Sequence, residues 1–114
     1  MLIIGIDLAG VETRPSGFFV LDTESMRAET FLVYTDNEII QETGKVNPNV
    51  IAVDAPPSLP KGRKPLEKKS DIHLRQCDRE LLRLGTKFFQ LTLGPMRKLT
   101  KRGIEIKKKL NKKV

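Results

Sequence analysis

"VIAVDAPPSLP", residues 50–60, runs four apolar residues straight into Asp54 and then into Pro56 and Pro57. A short continuous apolar run bounded by prolines reads as a buried strand, 50–54. Proline cannot donate to a sheet ladder, so the strand ends there. An unpaired carboxylate inside a core is costly or titrates to neutral. Asp54 therefore belongs where its strand emerges from the sheet. The competing reading is a turn or helix-cap aspartate ahead of proline.

"LIIGIDL", residues 2–8, repeats the pattern and ends on Asp7. If these two strands are parallel neighbours, both carboxylates emerge on one edge of the sheet. That edge is where open α/β sheets bind ligands. Neighbouring strands lie about 4.8 Å apart. Two carboxylates at that spacing repel one another unless a cation lies between them. Two such cations, roughly 3.5–4 Å apart, activate water and steady the leaving oxygen in phosphodiester cleavage. Asp7 and Asp54 are thus candidate catalytic residues and candidate metal ligands.

The rest of the chain fills in around them. "GFFVLD", 17–22, and "RAETFLVY", 27–34, read as second and third strands of an antiparallel meander, with "GVETRPSG" and "TESM" as turns. Thr35 or Asp36 caps a short helix over 36–44 that ends at Gly44. Glu38 and Glu42 lie four apart on it and share a face, so either can supply a third carboxylate; the alternative is a solvated helix surface. A strand, a helix and a buried strand make a crossover that sets strand 50–54 parallel to a neighbour. Residues 55–70 form a long polar loop. Leu74, Cys77, Leu81 and Leu84 mark one apolar face of a helix ended by Gly85, with Cys77 buried in it. "TKFFQLTLG", 86–94, reads as strand or loop, with Phe88 and Phe89 in the core. From Pro95 a last helix places Met96, Leu99, Gly103, Ile106 and Leu110 on one face, with Gly103 allowing close packing. His73 reads as a surface or cap residue.

With 114 residues, 39% hydrophobic and 31% charged, the chain suits one α/β domain spanning 1–114. No apolar stretch is long enough for a membrane helix, and the first residues read as a strand rather than a signal peptide. One cysteine and one histidine exclude an internal disulfide and a histidine/cysteine zinc site, and fit a reducing, cytoplasmic setting. A metal here is carboxylate-held, which suits magnesium or manganese.

Charge is divided along the chain. Residues 1–60 hold 3 Lys/Arg and 9 Asp/Glu, net −6; residues 61–114 hold 18 and 5, net +13, which together give the formal +7. A polyanion such as RNA or DNA is the partner this implies, with binding that weakens steeply in salt. Lys61, Arg63 and Lys64 in the loop, with Arg75, Arg97 and Arg102 beyond it, are candidate phosphate contacts. The plainer reading is a solubilising surface.

"IGIDLAG", "VIAVDAPPSLP", "RQCDRELLRLG" and "GPMRKLTKRG" resemble, in that order, motifs of a widespread uncharacterised family of predicted ribonuclease-H-like nucleases, from Ile4 to Gly103. The resemblance implies a ribonuclease-H-like mixed sheet: strands 1–3 antiparallel, strand 4 parallel to strand 1, then helices and a fifth strand. It puts metal carboxylates on Asp7, on Glu38 or Glu42, and on Asp54. Arg75 and Asp78, then Arg97, Thr100 and Arg102, are implied to line the site. The family pattern continues into a fifth strand and an acidic last helix. Here the sequence runs into "KKKLNKKV", so both are expected to be missing. A homodimer covering the open sheet edge would then guard against aggregation. Sugar kinases and actin-like ATPases open with a similar strand and glycine turn, but need a second lobe for which this length leaves no room. The sequence thus points to a metal-dependent nuclease. The alternative is a non-catalytic nucleic-acid- or protein-binding module of the same fold.

Overall fold

A computed structural model describes residues 1–113. Seven elements follow in the order β1 (Leu2–Asp7), β2 (Ser16–Asp22), β3 (Arg27–Val33), α1 (Asp36–Val46), β4 (Val50–Val53), α2 (Gln76–Arg83) and α3 (Met96–Lys113). The four strands form one mixed sheet, ordered β3-β2-β1-β4. β1 pairs antiparallel with β2 and parallel with β4, and β2 pairs antiparallel with β3. The meander and the parallel fourth strand expected from the sequence are both present. Among the described residues the sheet has no fifth strand, and 86–94 is loop.

Side chains alternate across a strand. Ile4, Ile6 and Phe18 therefore point to one face, where they pack with Ile39 of α1 and with Ile106 and Leu110 of α3. Phe18 stacks on Phe31 with ring centroids 5.0 Å apart. At Gly103 of α3 a Cβ would fall 2.8 Å from Ala55 Cβ and from the Pro56 carbonyl. Glycine is what lets α3 press onto the chain just past β4.

α1 opens with a capping box: Thr35 Oγ1 accepts from the Glu38 N–H at 3.1 Å, and Glu38 Oε1 accepts from the Thr35 N–H at 3.3 Å. The helix runs past Gly44 to Val46 and ends at Asn47, which takes the left-handed conformation (φ 51°). Two further residues bring Val46 against the core. α2 is shorter than its leucine spacing suggested, because residues 71–75 are not helical. Its end is a Schellman motif: the Thr86 N–H reaches the Leu81 carbonyl at 2.9 Å, the Gly85 N–H reaches Leu82 at 3.0 Å, and Gly85 has φ 78°.

Two further expectations are corrected. Cys77 is exposed rather than buried, and Leu81, Leu82 and Leu84 face solvent at 36%, 52% and 68% exposure, whereas Asp78 is the buried residue of α2. Phe89 is 84% exposed, since the 86–94 segment buries Leu91 and Thr92 instead. No helix among the described residues is long and apolar enough to cross a membrane.

Candidate carboxylate site at the ends of β1 and β4

The parallel register between β1 and β4 pairs Gly5 with Ala52 and Ile6 with Val53. One step on, the Asp54 N–H donates to the Ile6 carbonyl at 2.8 Å, and Asp7 and Asp54 stand side by side where the two strands end. Residues in register on parallel strands share a face. Ile6 and Val53 turn towards the helices, so Asp7 and Asp54 turn the other way. Both are exposed, and neither side chain has a hydrogen bond or ion pair among the described residues. They line one hollow of about 750 Å³ on the outer face of the sheet, with Gly5, Gly17, Phe19 and Ala52 in its floor.

Glu38 and Glu42 do not join them. α1 lies on the opposite face, where Ile39 packs against Ile4 and Ile6. Glu38 is engaged in the capping box, and Glu42 Oε1 takes a hydrogen bond from Lys45 Nζ at 3.0 Å. Among the described residues no three His, Cys, Asp or Glu side chains converge as a metal cluster. The reason is the two-residue period of the strand, which sends the helix-packing residues and the aspartates to different sides.

The predicted phosphate contacts separate into two groups. Arg63 is only 3% exposed. Its guanidinium donates to the carbonyls of Leu66 (3.1 Å), Ser70 (3.3 Å) and Ile72 (2.8 Å), and to His73 Nδ1 (3.3 Å). His73 Nδ1 also lies 2.7 Å from Thr92 Oγ1, so His73 belongs to the inside of this loop rather than to the surface. Arg63 is thus the internal frame of the 55–73 segment. Arg102, 5% exposed, is equally internal. It donates to Asp36 Oδ1 at 2.9 Å and to the carbonyls of Ala9 (2.7 Å), Val11 (3.2 Å) and Tyr34 (2.8 Å). Burial behind these acceptors leaves neither arginine available to a phosphate; of the Arg63 guanidinium nitrogens, Nε has no partner among the described residues.

Arg75 grips Asp78 in a two-pronged pair, Nε to Oδ2 at 3.1 Å and Nη2 to Oδ1 at 3.0 Å. Burial pushes the Asp78 carboxyl up. The hydrogen bonds and charge of Arg75 outweigh that and leave its pKa below the usual carboxylate value. The same pairing raises Arg75. Arg97 is exposed apart from one bond to the Leu66 carbonyl at 3.0 Å. Thr100 is fully buried and donates to the Leu91 carbonyl at 2.6 Å.

Lys61 and Lys64 remain exposed. The structure adds Lys108 and Lys101, the latter paired with Glu67 at 3.3 Å; with Lys64 they border a groove of about 680 Å³ between the 57–67 loop and α3. Their i, i+7 spacing on α3 was a readable signal in the sequence, but nothing local showed that the proline-rich loop lies alongside.

Compared with family models, with curated proteins and with solved structures, the chain matches none.

Proposed function

We propose that the chain is a ribonuclease-H-like domain that uses a divalent cation to hydrolyse phosphodiester bonds of nucleic acid. One observation carries the reading: Asp7 and Asp54, carboxylates without a partner among the described residues, stand one step past the Ile6–Val53 pair where two parallel neighbouring strands end. The sheet order β3-β2-β1-β4 is consistent with the first four strands of that architecture.

The donor set fits magnesium or manganese. Both are hard ions that take carboxylate oxygens and retain several waters, so two carboxylates suffice to hold one. Bound there, such an ion supplies a Lewis acid for the phosphodiester and lowers the pKa of nearby water. Asp7 and Asp54 position it by the fixed spacing of two paired strands. Lys61, Lys64, Lys101 and Lys108 neutralise backbone phosphates further along the strand.

A second reading, a non-catalytic nucleic-acid- or protein-binding module, is favoured by the placement of Glu38 and Glu42 behind the sheet. That leaves two carboxylates where a two-metal centre needs more.

The test is cleavage of end-labelled RNA, DNA, hybrid and junction substrates in magnesium or manganese, beside the Asp54→Asn variant. Cleavage that disappears in the variant, with affinity for the substrate retained, supports the nuclease. Salt-dependent binding without cleavage by the parent supports the module.

A further inference from the structure

The hollow beside Asp7 and Asp54 has one charged end and one apolar end. In the sheet register Asp7 faces Gly17, and Gly17 faces Leu32; two residues back, Gly5 faces Phe19, and Phe19 faces Thr30. The carboxylates therefore occupy one end of the hollow, and Phe19, Thr30 and Leu32 the other. Leu32 is 63% exposed and Phe19 is half-buried. The Phe19 side chain leans over the bare backbone of Gly5, where an added Cβ would lie 3.6 Å from its ring. Between the two ends lies Gly17. Among the described residues the only atom within 4 Å of a Cβ added there is Asp7 Cβ, at 3.5 Å. That is an ordinary contact, so packing within the chain does not demand glycine at this position. The space it leaves is part of an open cavity of about 750 Å³, a size that takes small-molecule groups.

Charge selects the occupant. The strand residues of this face include no lysine or arginine, and Asp7 and Asp54 repel anions. A phosphate is held at the carboxylate end alone, through the cation. The apolar end takes something uncharged that is joined to that phosphate. The base of the adjoining nucleotide has these properties. It presents a flat face to Phe19, and its polar edge meets the exposed Thr30 hydroxyl.

We infer that the hollow is a base-binding subsite and that the substrate is single-stranded nucleic acid, held by one base next to the phosphate at Asp7 and Asp54. The inference deepens the nuclease reading and rests on it for the position of the phosphate. A base inside a duplex is already stacked and paired, so it reaches Phe19 only by leaving the helix. A single strand meets no such barrier.

The experiment measures affinity by fluorescence anisotropy, in magnesium and within seconds of mixing. The labelled probes are a DNA strand of mixed sequence, the same strand annealed to its complement, and a strand of equal length made of abasic sites. The parent is expected to bind the mixed-sequence strand about tenfold more tightly than the abasic one, within the range of base–aromatic stacking. Phe19→Leu removes the ring, and Gly17→Val fills the floor with a residue that suits a strand. Each should bring the mixed-sequence strand down to the affinity of the abasic one, with the abasic strand and the duplex unaffected. Circular dichroism checks that both variants are folded. Equal affinity of the parent for the mixed-sequence and abasic strands overturns the inference. So do folded variants that keep the preference, or a duplex that weakens in parallel with the single strand. Cleavage is read separately. A parent that cleaves without a preference for bases keeps the nuclease and loses the subsite. A base preference lost in both variants, from a chain that cleaves nothing, keeps the subsite and loses the nuclease.

Discussion

Arg102 and Asp36 lie 66 residues apart in sequence and are joined by a buried hydrogen-bonded ion pair of 2.9 Å. Lys109 Nζ reaches the other oxygen of Asp36 at 3.1 Å. The arginine thereby ties α3 to the start of α1, to the end of β3 and to the turn after β1. It fixes the backbone that leads away from Asp7, from behind the site rather than within it.

Removing Arg102 leaves Asp36 with only the half-exposed Lys109 and takes a donor from the carbonyls of Ala9, Val11 and Tyr34. Arg102→Met is expected to lower stability by about 3–5 kcal/mol in urea unfolding. Adding Asp36→Asn to that variant should return part of the loss, because the half-exposed Lys109 alone offsets the buried carboxylate incompletely. A loss below about 1 kcal/mol, the range of an exposed pair, would contradict the internal role.

Glu38 belongs to the cap of α1. Glu38→Ala should cost about 0.5–1 kcal/mol of stability. Manganese affinity, read by isothermal titration calorimetry, should be unchanged, whereas Asp7→Asn and Asp54→Asn should each reduce it. A fall in affinity with Glu38→Ala would mean that the helix carboxylate reaches the strand ends after all.

Asp78 is buried and paired with Arg75, and its pKa is lowered. A carboxyl with a folded-state pKa below its unfolded value contributes stability that is complete above the unfolded value, near 3.8, and is lost as the pH falls through the folded one. Asp78→Asn should therefore be less stable than the parent at pH 7, by about 1–3 kcal/mol. The gap should narrow as the pH drops below 3.8. A gap constant from pH 7 to pH 2 in denaturant titrations would exclude this source.

Two helical glycines should respond in opposite directions. At Gly103 an added methyl meets Ala55 and backbone at 2.8 Å, so Gly103→Ala should destabilise by about 1–3 kcal/mol. At Gly44 no atom lies within 4 Å of the added Cβ, so Gly44→Ala should stabilise by about 0.8–1 kcal/mol through helix propensity. Thermal melts of the two variants separate packing from propensity.

Gly44 also shows where sequence reading stops. Glycine is a common helix terminator, yet α1 continues to Asn47 because Val46 gains a place against the core. The leucines of α2 illustrate the converse. Their spacing identified a helix, but spacing alone does not say whether an apolar face is covered, and here Leu81, Leu82 and Leu84 are exposed.

What the sequence determined by itself was local and periodic. Apolar runs that end on Asp7 and Asp54, the meander between them and the helix before 50–54 follow from patterning, turn residues and the stiffness of proline. Those features place two carboxylates at the ends of parallel strands. Only the tertiary structure decided which face each carboxylate takes, that α1 carries Glu38 and Glu42 to the other side, and that Arg63 and Arg102 are consumed inside the fold. The physical reason is that an arginine reads the same in a sequence whether its donors meet water, a phosphate or backbone carbonyls. Which of these it meets depends on segments brought together from opposite ends of the chain.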